Sequence, residues 1–206
     1  MSQHLHFSAI ILAAGSSSRM GTPKQLLQVD GLCMLDLVIQ TALQAVIGPP
    51  VVVLGANASQ IEATSTQLYR CSVVHNHNYR SGLSTSLKAG IKSSPVQTNA
   101  YIFMLADLPL VSGTLLRKMI EEFVKTEADI LYPEYQGQRG NPVIITSKLR
   151  NRLLKAKGDT GAKFLLADTN LAIVAYPVTT RAVITDIDTP EDFDNLCNRS
   201  LFYKGR

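Results

Sequence analysis

Tryptophan is absent from this chain of 206 residues, and aromatic side chains make up only 6% of it. Grooves that bind nucleic acids depend on aromatic stacking and on clustered basic residues. The basic residues here are scattered, and the formal net charge is only +4. We therefore expect no nucleic acid partner, whereas a mild positive balance is compatible with small anionic ligands.

Cysteine and long apolar runs are also scarce. The 3 cysteines, Cys33, Cys71 and Cys197, are odd in number and widely spaced, which argues against a disulfide framework. No apolar run reaches the roughly 18 residues that a membrane-spanning helix needs. The apolar stretch near the N-terminus lacks the basic segment that opens a secretion signal. These absences predict a cytoplasmic protein with no membrane partner.

Apolar, β-branched segments alternate with segments of helical period as far as Pro133. This alternation predicts an α/β fold in which helices cover both faces of a largely parallel sheet. The predicted strands are SAIILAA (8–14), PPVVVLG (49–55), CSVVHN (71–76), AYIFMLAD (100–107) and ADILYP (128–133). The predicted helices are MLDLVIQTALQAV (34–46), ASQIEATSTQL (58–68), GLSTSLKAGIKS (82–93) and SGTLLRKMIEEFVKT (112–126), the last with Ser112 as its cap.

Beyond Pro133 the pattern becomes irregular. Strand-like segments occur at GNPVIIT (140–146), LAIVAYPV (171–178) and AVITDID (182–188), with helical SKLRNRLLKA (147–156) and AKFLLA (162–167) between them. This part predicts a mixed sheet that belongs to the same domain. Because no linker, repeat or low-complexity tract interrupts the chain, we expect a single domain over residues 1–206.

The segment AAGSSSRMGTPK (13–24) follows the first predicted strand directly. Ligands of open parallel sheets bind beyond the carboxyl ends of the strands. Glycines let backbone amides turn towards an anion, while hydroxyl, guanidinium and ammonium groups donate to phosphate oxygens. The residues with these properties are Gly15, Ser16, Ser17, Ser18, Arg19, Gly21 and Lys24. The segment predicts a phosphate-binding loop, with a polar surface turn as the alternative, and it matches neither the Walker pattern nor the dinucleotide fingerprint.

Carboxylates follow two other predicted strands. Asp107 ends an apolar strand in MLADLPLV, and beside a phosphate loop such a residue is suited to hold Mg²⁺. Asp186 and Asp188 alternate in ITDIDTPEDF, so they share one face of an extended segment, and either is a candidate second carboxylate. The alternatives are that Asp107 caps a turn and that Asp188 or Thr189 caps the following helix.

Glycine-bearing stretches supply further candidates. Gly82 and Ser84 in SGLSTS stand at a predicted helix entrance, where amides and a hydroxyl can meet a base or an anion. RGNPV (139–143) and GDTGAKFLL (158–166) place polar residues where little core packing is expected. Each stretch taken alone also fits ordinary turn chemistry.

Together these motifs resemble the molybdenum cofactor nucleotidyltransferases, and in particular their cytidylyltransferase branch within the MobA-like group. The resemblance extends from about Ala9 to about Phe193 and keeps the motifs in the family order. It implies a Rossmann-like, three-layer nucleotidyltransferase fold of the GT-A type, with a mostly parallel, mixed central sheet. It also implies a nucleotide-binding half over about 1–110 and an acceptor-facing half over about 111–206.

The resemblance implies transfer of a nucleoside monophosphate from an NTP to a phosphorylated acceptor, with Mg²⁺ as cofactor and release of pyrophosphate. The expected partners are CTP or another NTP, an acceptor of the molybdopterin type, and transiently a molybdenum hydroxylase. The implied catalytic residues are Arg19, Lys24 and Asp107, and the implied metal ligands are Asp107 with Asp186 or Asp188. The implied nucleotide-binding residues are Leu12, Ala13, Ala14, Gly15, Ser16, Gly21, Lys24, Gly82 and Ser84. The implied acceptor-binding residues are Gly140, Asn141, Pro142, Gly158, Asp159 and Gly161.

Two positions bear on the substrates. Guanylyl-transferring members of the family typically carry Gly-Gly where this chain has Ala14-Gly15, which favours CTP, and many members carry histidine at the position of Asn141. The alternatives are transfer to a sugar or polyol phosphate and a non-catalytic protein that delivers the cofactor to a molybdenum hydroxylase. A nicotinamide-dependent reductase is disfavoured because the dinucleotide fingerprint is missing.

Overall fold

The β-branched apolar segments form a central eight-stranded sheet. The structure is a computed structural model that describes residues 5–16, 22–46 and 48–203, with side chains described as far as Cys197. The strands of the sheet are β1 (Phe7–Ala13), β4 (Val51–Leu54), β5 (Ser72–His75), β6 (Ala100–Leu105), β7 (Ile130–Tyr135), β8 (Gln138–Arg139), β9 (Val143–Thr146) and β10 (Ile173–Pro177). A separate antiparallel pair consists of β2 (Gln28–Val29) and β3 (Leu32–Cys33).

Helices connect the strands and flank the sheet. The α-helices are α1 (Met34–Ala45), α2 (Ala58–Thr64), α3 (Leu83–Ser93), α4 (Gly113–Thr126), α5 (Arg150–Leu153) and α6 (Pro190–Tyr203). Short 3₁₀ helices lie at Lys24–Leu26, Leu68–Arg70, Tyr79–Ser81, Ser147–Leu149, Gly158–Thr160, Lys163–Ala167 and Arg181–Ile184. Among the described residues, no helix is both long and apolar enough to cross a lipid bilayer.

The sheet is mostly parallel, as the alternating sequence predicts. Its strand order is β10-β7-β9-β6-β1-β4-β5, and β8 pairs with β7. Parallel pairs join β1 to β4 and β6, β4 to β5, and β7 to β10. Among the described strands of this sheet, only β8 and β9 run against their neighbours, so the carboxyl ends of β1, β4, β6 and β7 meet at one edge.

Alternating side chains of β1 supply the core on both faces of the sheet. Ile11 belongs to a cluster with residues of α1 and α4, whereas Ile10 belongs to a second cluster with residues of α3. Both isoleucines are fully buried, and burial of such a side chain stabilises the fold by about 1.5–3 kcal/mol. This two-sided burial confirms the three-layer fold class.

The predicted strand at AVITDID is wrong. Residues Arg181–Ile184 form a 3₁₀ helix, and the chain from there to α6 is irregular. The segment forms isolated backbone hydrogen bonds instead of a ladder, one from Asn141 N to Val183 O and one from Ile187 N to Asp107 O. These bonds draw the segment across the edge of the sheet where the parallel strands end.

Two predicted helices in the second half are also much shorter than expected. SKLRNRLLKA contains a 3₁₀ turn and the four-residue helix α5, and AKFLLA forms only a 3₁₀ helix. The predicted cap of α4 is confirmed, because the Ser112 hydroxyl accepts a hydrogen bond from Leu115 N at 3.2 Å.

Candidate active site

A cleft of about 770 Å³ opens where β1 and β6 end. Its walls come from the residues that follow these two strands and from the turn that enters α3. Sequence candidates that line it are Leu12, Ala14, Gly15, Ser16, Lys24, Gly82, Asp107 and Asp159. The structure thus brings together residues that are far apart in the sequence, at the position favoured for ligands in an open sheet.

Lys24 links two carboxylates at this cleft. Its Nζ lies 2.6 Å from Asp107 Oδ2 and 2.7 Å from Asp188 Oδ1. Lys24 begins the first 3₁₀ helix and Asp107 follows β6, while the bond from Ile187 N to Asp107 O places Asp188 beside them. The three side chains are therefore held by three separate elements of the fold.

The two carboxylates keep Lys24 charged. Burial alone would lower the pKa of this ammonium group, but the charges and hydrogen bonds of Asp107 and Asp188 outweigh burial and raise the pKa above its ordinary value. Lys24 is consequently a fixed positive charge at neutral pH, suited to phosphate oxygens.

Asp107 has a further oxygen that fits a divalent cation. Its Oδ1 is buried and has no hydrogen-bond partner among the described residues. A carboxylate oxygen in that condition is costly unless a donor or a cation satisfies it. The described residues contain no cluster of three or more His, Cys, Asp or Glu side chains able to hold a metal by themselves. Mg²⁺, however, is often bound by one or two carboxylates together with substrate phosphates and water, so Asp107 and Asp188 fit such an ion.

The structure separates the two candidates for the second carboxylate. Asp188 contacts Lys24, whereas Asp186 is exposed to solvent. Thr189 caps α6, because its hydroxyl accepts from Asp192 N at 3.2 Å while Asp192 Oδ2 accepts from Thr189 N at 2.9 Å. Hydrogen bonds from the Thr189 hydroxyl and from backbone amides lower the pKa of the Asp192 carboxyl. Since Thr189 and Asp192 form the cap, the Asp188 side chain is left to bond Lys24.

The first loop is described only as far as Ser16. Arg19, Gly21, Ser17 and Ser18 lie outside the described residues, so their phosphate-binding roles stay predictions. Gly15 lines the cleft, its φ lies outside the left-handed region, and an added Cβ would meet nothing within 4 Å among the described residues. Its phosphate-binding role stays a prediction.

Gln25 is a site residue that the sequence analysis missed. It is only 1% exposed, and its Nε2 donates to Ala13 O and to Gly15 O, both at 3.1 Å. These bonds tie the end of the predicted phosphate loop to its beginning. The only sequence signal is its place directly after Lys24.

The turn before α3 and the start of α3 itself contribute residues beyond those predicted. Gly82 lines the cleft, whereas Ser84 is 1% exposed and does not. Tyr79, Arg80 and Ser86 do line it, and the Arg80 guanidinium lies 5.7 Å from the centre of the Tyr79 ring. Arg80, a basic residue two positions before Gly82, could have been predicted from the sequence as a candidate anion-binding residue.

A second, more apolar pocket of about 210 Å³ adjoins the cleft. Asn141, Asp159 and Gly161 line it, together with Arg139 and Lys163, which the sequence analysis missed. Gly140 packs elsewhere, because a Cβ at this glycine would lie 2.5 Å from Val183 O. Neither Pro142 nor Gly158 is among the described residues that line the pocket. The predicted acceptor residues thus divide into pocket-lining and supporting positions.

Comparison with known proteins places this geometry in a family. The model of the MobA-like NTP transferase domain matches residues 9–174. The chain belongs to the MobA-like NTP transferase family. Its enzyme class is accordingly that of a nucleotidyltransferase of the molybdenum cofactor cytidylyl- and guanylyltransferase type.

Curated relatives of this MobA-like chain match over most of its length. It is 29% identical over 186 residues to the molybdenum cofactor cytidylyltransferase of Escherichia coli (strain K12), covering 89% of this chain and 92% of the relative. It is 28% identical over 197 residues to the nicotine blue oxidoreductase of Paenarthrobacter nicotinovorans, covering 92% of this chain and 95% of the relative. One of these two relatives is therefore named a cytidylyltransferase and the other an oxidoreductase.

The solved structure of Rv0371c from Mycobacterium tuberculosis H37Rv is also similar. It superposes on this MobA-like chain with a TM-score of 0.84 at 27% identity, covering 94% of this chain and 98% of that one. The same protein has been solved in complex with manganese, with a TM-score of 0.80 and 25% identity over 94% of this chain and 98% of that one. The fold is therefore shared over nearly the full length of both chains.

Proposed function

We propose that the chain transfers CMP from CTP to the phosphate of a molybdopterin-type acceptor, with Mg²⁺ as cofactor and pyrophosphate as the second product. The observation that carries the proposal is the position of Lys24 between Asp107, which lines the cleft with it, and Asp188. One fixed cation and two carboxylates beside a predicted phosphate loop are the groups that phosphoryl chemistry uses.

The chemistry requires positioning and charge neutralisation more than proton transfer. A phosphate acceptor is already ionised at neutral pH, so no general base has to activate it. Lys24 stabilises negative charge as the α-phosphate changes partners, and residues 14–16 line the same cleft. Arg19, outside the described residues, is proposed to add a second cation.

Asp107 and Asp188 are proposed to hold the metal ion. When bound by these two carboxylates, Mg²⁺ would supply further neutralisation of the phosphate charge. The buried Oδ1 of Asp107 supports this assignment because a cation would satisfy it. The manganese complex of Rv0371c is consistent with a divalent cation in this fold. Asp186, which is exposed, is proposed to have no direct contact with the ion.

Two features support CTP as the nucleotide. Ala14 lines the cleft, and the guanylyl-transferring members of the family typically carry glycine at this position. The Escherichia coli relative is named a cytidylyltransferase. Gly82, Tyr79 and Arg80, which also line the cleft, are proposed to face the nucleotide as well.

The apolar pocket is proposed to take the acceptor. Its floor includes Phe103 and Ile130, and Asn141 provides an amide that can donate and accept hydrogen bonds. An apolar pocket with a few polar groups fits a flat heterocycle better than a simple sugar phosphate. Transient contact with a molybdenum hydroxylase belongs to the same proposal, as the step that follows transfer.

Pyrophosphate release tests the proposal. Purified protein with Mg²⁺ and molybdenum-loaded molybdopterin is assayed with CTP, GTP, ATP and UTP in turn. We expect CTP to give the fastest release, and Asp107→Asn to abolish it while the exposed control Asp194→Asn leaves it unchanged. A preference for another nucleotide, or equal activity of Asp107→Asn, would contradict the assignment.

The alternatives give different results in the same assay. If pyrophosphate is released faster with sugar or polyol phosphates, the acceptor is a compound of that class and not molybdopterin. A delivery protein would release no pyrophosphate and would keep cofactor binding in Asp107→Asn. The name of the Paenarthrobacter relative makes NADH and NADPH oxidation a further control, and we expect none.

A further inference from the structure

The cleft and the apolar pocket share one wall. Four residues line both cavities, namely Leu12, Leu83, Leu105 and Asp159. Among these four, Asp159 has the only polar side chain. A single carboxylate therefore stands at the boundary between the proposed nucleotide and acceptor sites.

Asp159 caps helix α3 from a distant part of the chain. Its Oδ1 accepts a hydrogen bond at 3.0 Å from Leu83 N, across a separation of 76 residues. Leu83 is the first residue of α3, and the N-cap residue Gly82 has no side chain with which to make this bond. A carboxylate is also favoured at the positive end of the helix dipole. The start of α3 thus takes its cap from the predicted acceptor segment.

Backbone contact fixes the same two segments at a second point. Gly82 has a φ of 101°, and a Cβ there would lie 2.6 Å from the carbonyl carbon of Gly158. Non-bonded carbons pack best at about 3.5–4.0 Å, so only glycine allows this approach. The segment 158–162 is therefore placed against α3 by one backbone contact and one carboxylate.

We propose that Asp159 is a positioning residue, which sets the acceptor pocket against the nucleotide cleft instead of binding the acceptor itself. The inference rests on the proposed transfer between these two cavities. The bond from Leu83 N holds Asp159 beside a residue whose side chain lines both. Because a displacement of about 1 Å between reacting groups can cost about 100-fold in rate, loss of this bond acts on transfer more than on nucleotide binding.

The test compares Asp159→Ala, Asp159→Asn and the exposed control Asp194→Ala in the full chain. Asparagine keeps an oxygen that can accept from Leu83 N, whereas alanine does not. We expect Asp159→Ala to lower kcat for pyrophosphate release by about tenfold to 100-fold and to change the Kd for CTP with Mn²⁺ by less than about threefold. We expect the kcat of Asp159→Asn to stay within about threefold of the wild-type value, since the hydrogen bond is kept.

Two kinetic outcomes would overturn the inference. Wild-type kcat in Asp159→Ala would show that the bond is dispensable. Equal impairment of Asp159→Asn and Asp159→Ala would show that the negative charge contacts a substrate directly.

Hydrogen exchange separates this inference from the proposed function. Failure of the wild type to release pyrophosphate refutes the proposed function but leaves the exchange experiment usable. We expect CTP with Mn²⁺ to slow amide exchange in residues 158–162 of the wild type and of Asp159→Asn, but not of Asp159→Ala. Absence of this protection in the wild type, or its survival in Asp159→Ala, would overturn the positioning role.

Discussion

The ammonium group of Lys24 is bonded directly to the carboxylate of Asp107, with 2.6 Å between Nζ and Oδ2, although 83 residues separate them in the sequence. Asp188 adds a second bond to the same ammonium at 2.7 Å. Lys24 therefore stands where two carboxylates converge, and its charge opposes the binding of any second cation there.

Replacement of Lys24 by methionine has opposite effects on metal binding and on turnover. We expect the Kd for Mn²⁺ alone, measured by electron paramagnetic resonance, to fall because the carboxylates lose their neutralising partner. Pyrophosphate release falls by about 10²–10³-fold because a cation facing the phosphates is gone. The exposed control Lys92→Met changes neither quantity, and weaker Mn²⁺ binding in Lys24→Met would contradict the prediction.

Replacement of Gln25 by leucine removes both bonds that close the first loop. Two carbonyl groups, those of Ala13 and Gly15, lose a donor. Ala13 is buried, and an unsatisfied buried group costs about 1–3 kcal/mol. We expect a lower urea midpoint and a higher KM for the nucleotide. Gln28→Leu is the matched control, because Gln28 is exposed and its contact with Leu26 O is long, at 3.4 Å. Equal effects of the two substitutions would refute the role assigned to Gln25.

Substitution of two glycines by alanine is expected to change different quantities, namely stability at Gly140 and nucleotide binding at Gly15. A Cβ at Gly140 would lie 2.5 Å from Val183 O, so Gly140→Ala is expected to destabilise the fold by about 1–3 kcal/mol. A Cβ at Gly15 meets no atom of the described residues within 4 Å, and Gly15 itself lines the cleft. Gly15→Ala should therefore keep the wild-type unfolding midpoint and weaken nucleotide binding. Denaturation measures the unfolding midpoint of both variants, and calorimetric titration measures their affinity for the nucleotide.

The thiols of the buried Cys33 and the half-buried Cys71 provide a test by pH. Burial raises the pKa of Cys33 to about 12 and that of Cys71 to about 11. Since only the thiolate reacts with iodoacetamide, about 0.1% of Cys71 is reactive at pH 8, and its alkylation should rise about tenfold per pH unit up to pH 10. Mass spectrometry of the labelled peptides measures this rate. The urea-unfolded chain, with ordinary thiols, should level off near pH 9, and a similar plateau in the native chain would contradict the assigned burial.

Local patterns in the sequence were sufficient for the first half of the fold and for Asp107. An apolar run that ends in Ala-Asp-Leu-Pro marks both the end of the strand and the carboxylate beyond it. Lys24 was predicted in the same way, because it lies in a loop directly after a strand.

Contacts between distant segments decided the rest. Asp186 and Asp188 flank the buried Ile187, so their alternation in the sequence could not show which of them lies beside Lys24. The structure shows that Asp188 does, because Thr189 and not Asp188 caps α6. Gln25 bonds backbone carbonyls, which carry no sequence signature. Asp159 was expected to face the acceptor, whereas its bond to Leu83 depends on how two remote turns pack.

The reversed direction of β9 brings the segment before it, residues 136–142, to the edge of the sheet where the parallel strands end. This segment reaches that edge without interrupting the parallel strands β1, β4 and β6. Under the proposed function, exchange of residues 136–142 is expected to change the choice of acceptor while the strands that carry the cleft stay as they are.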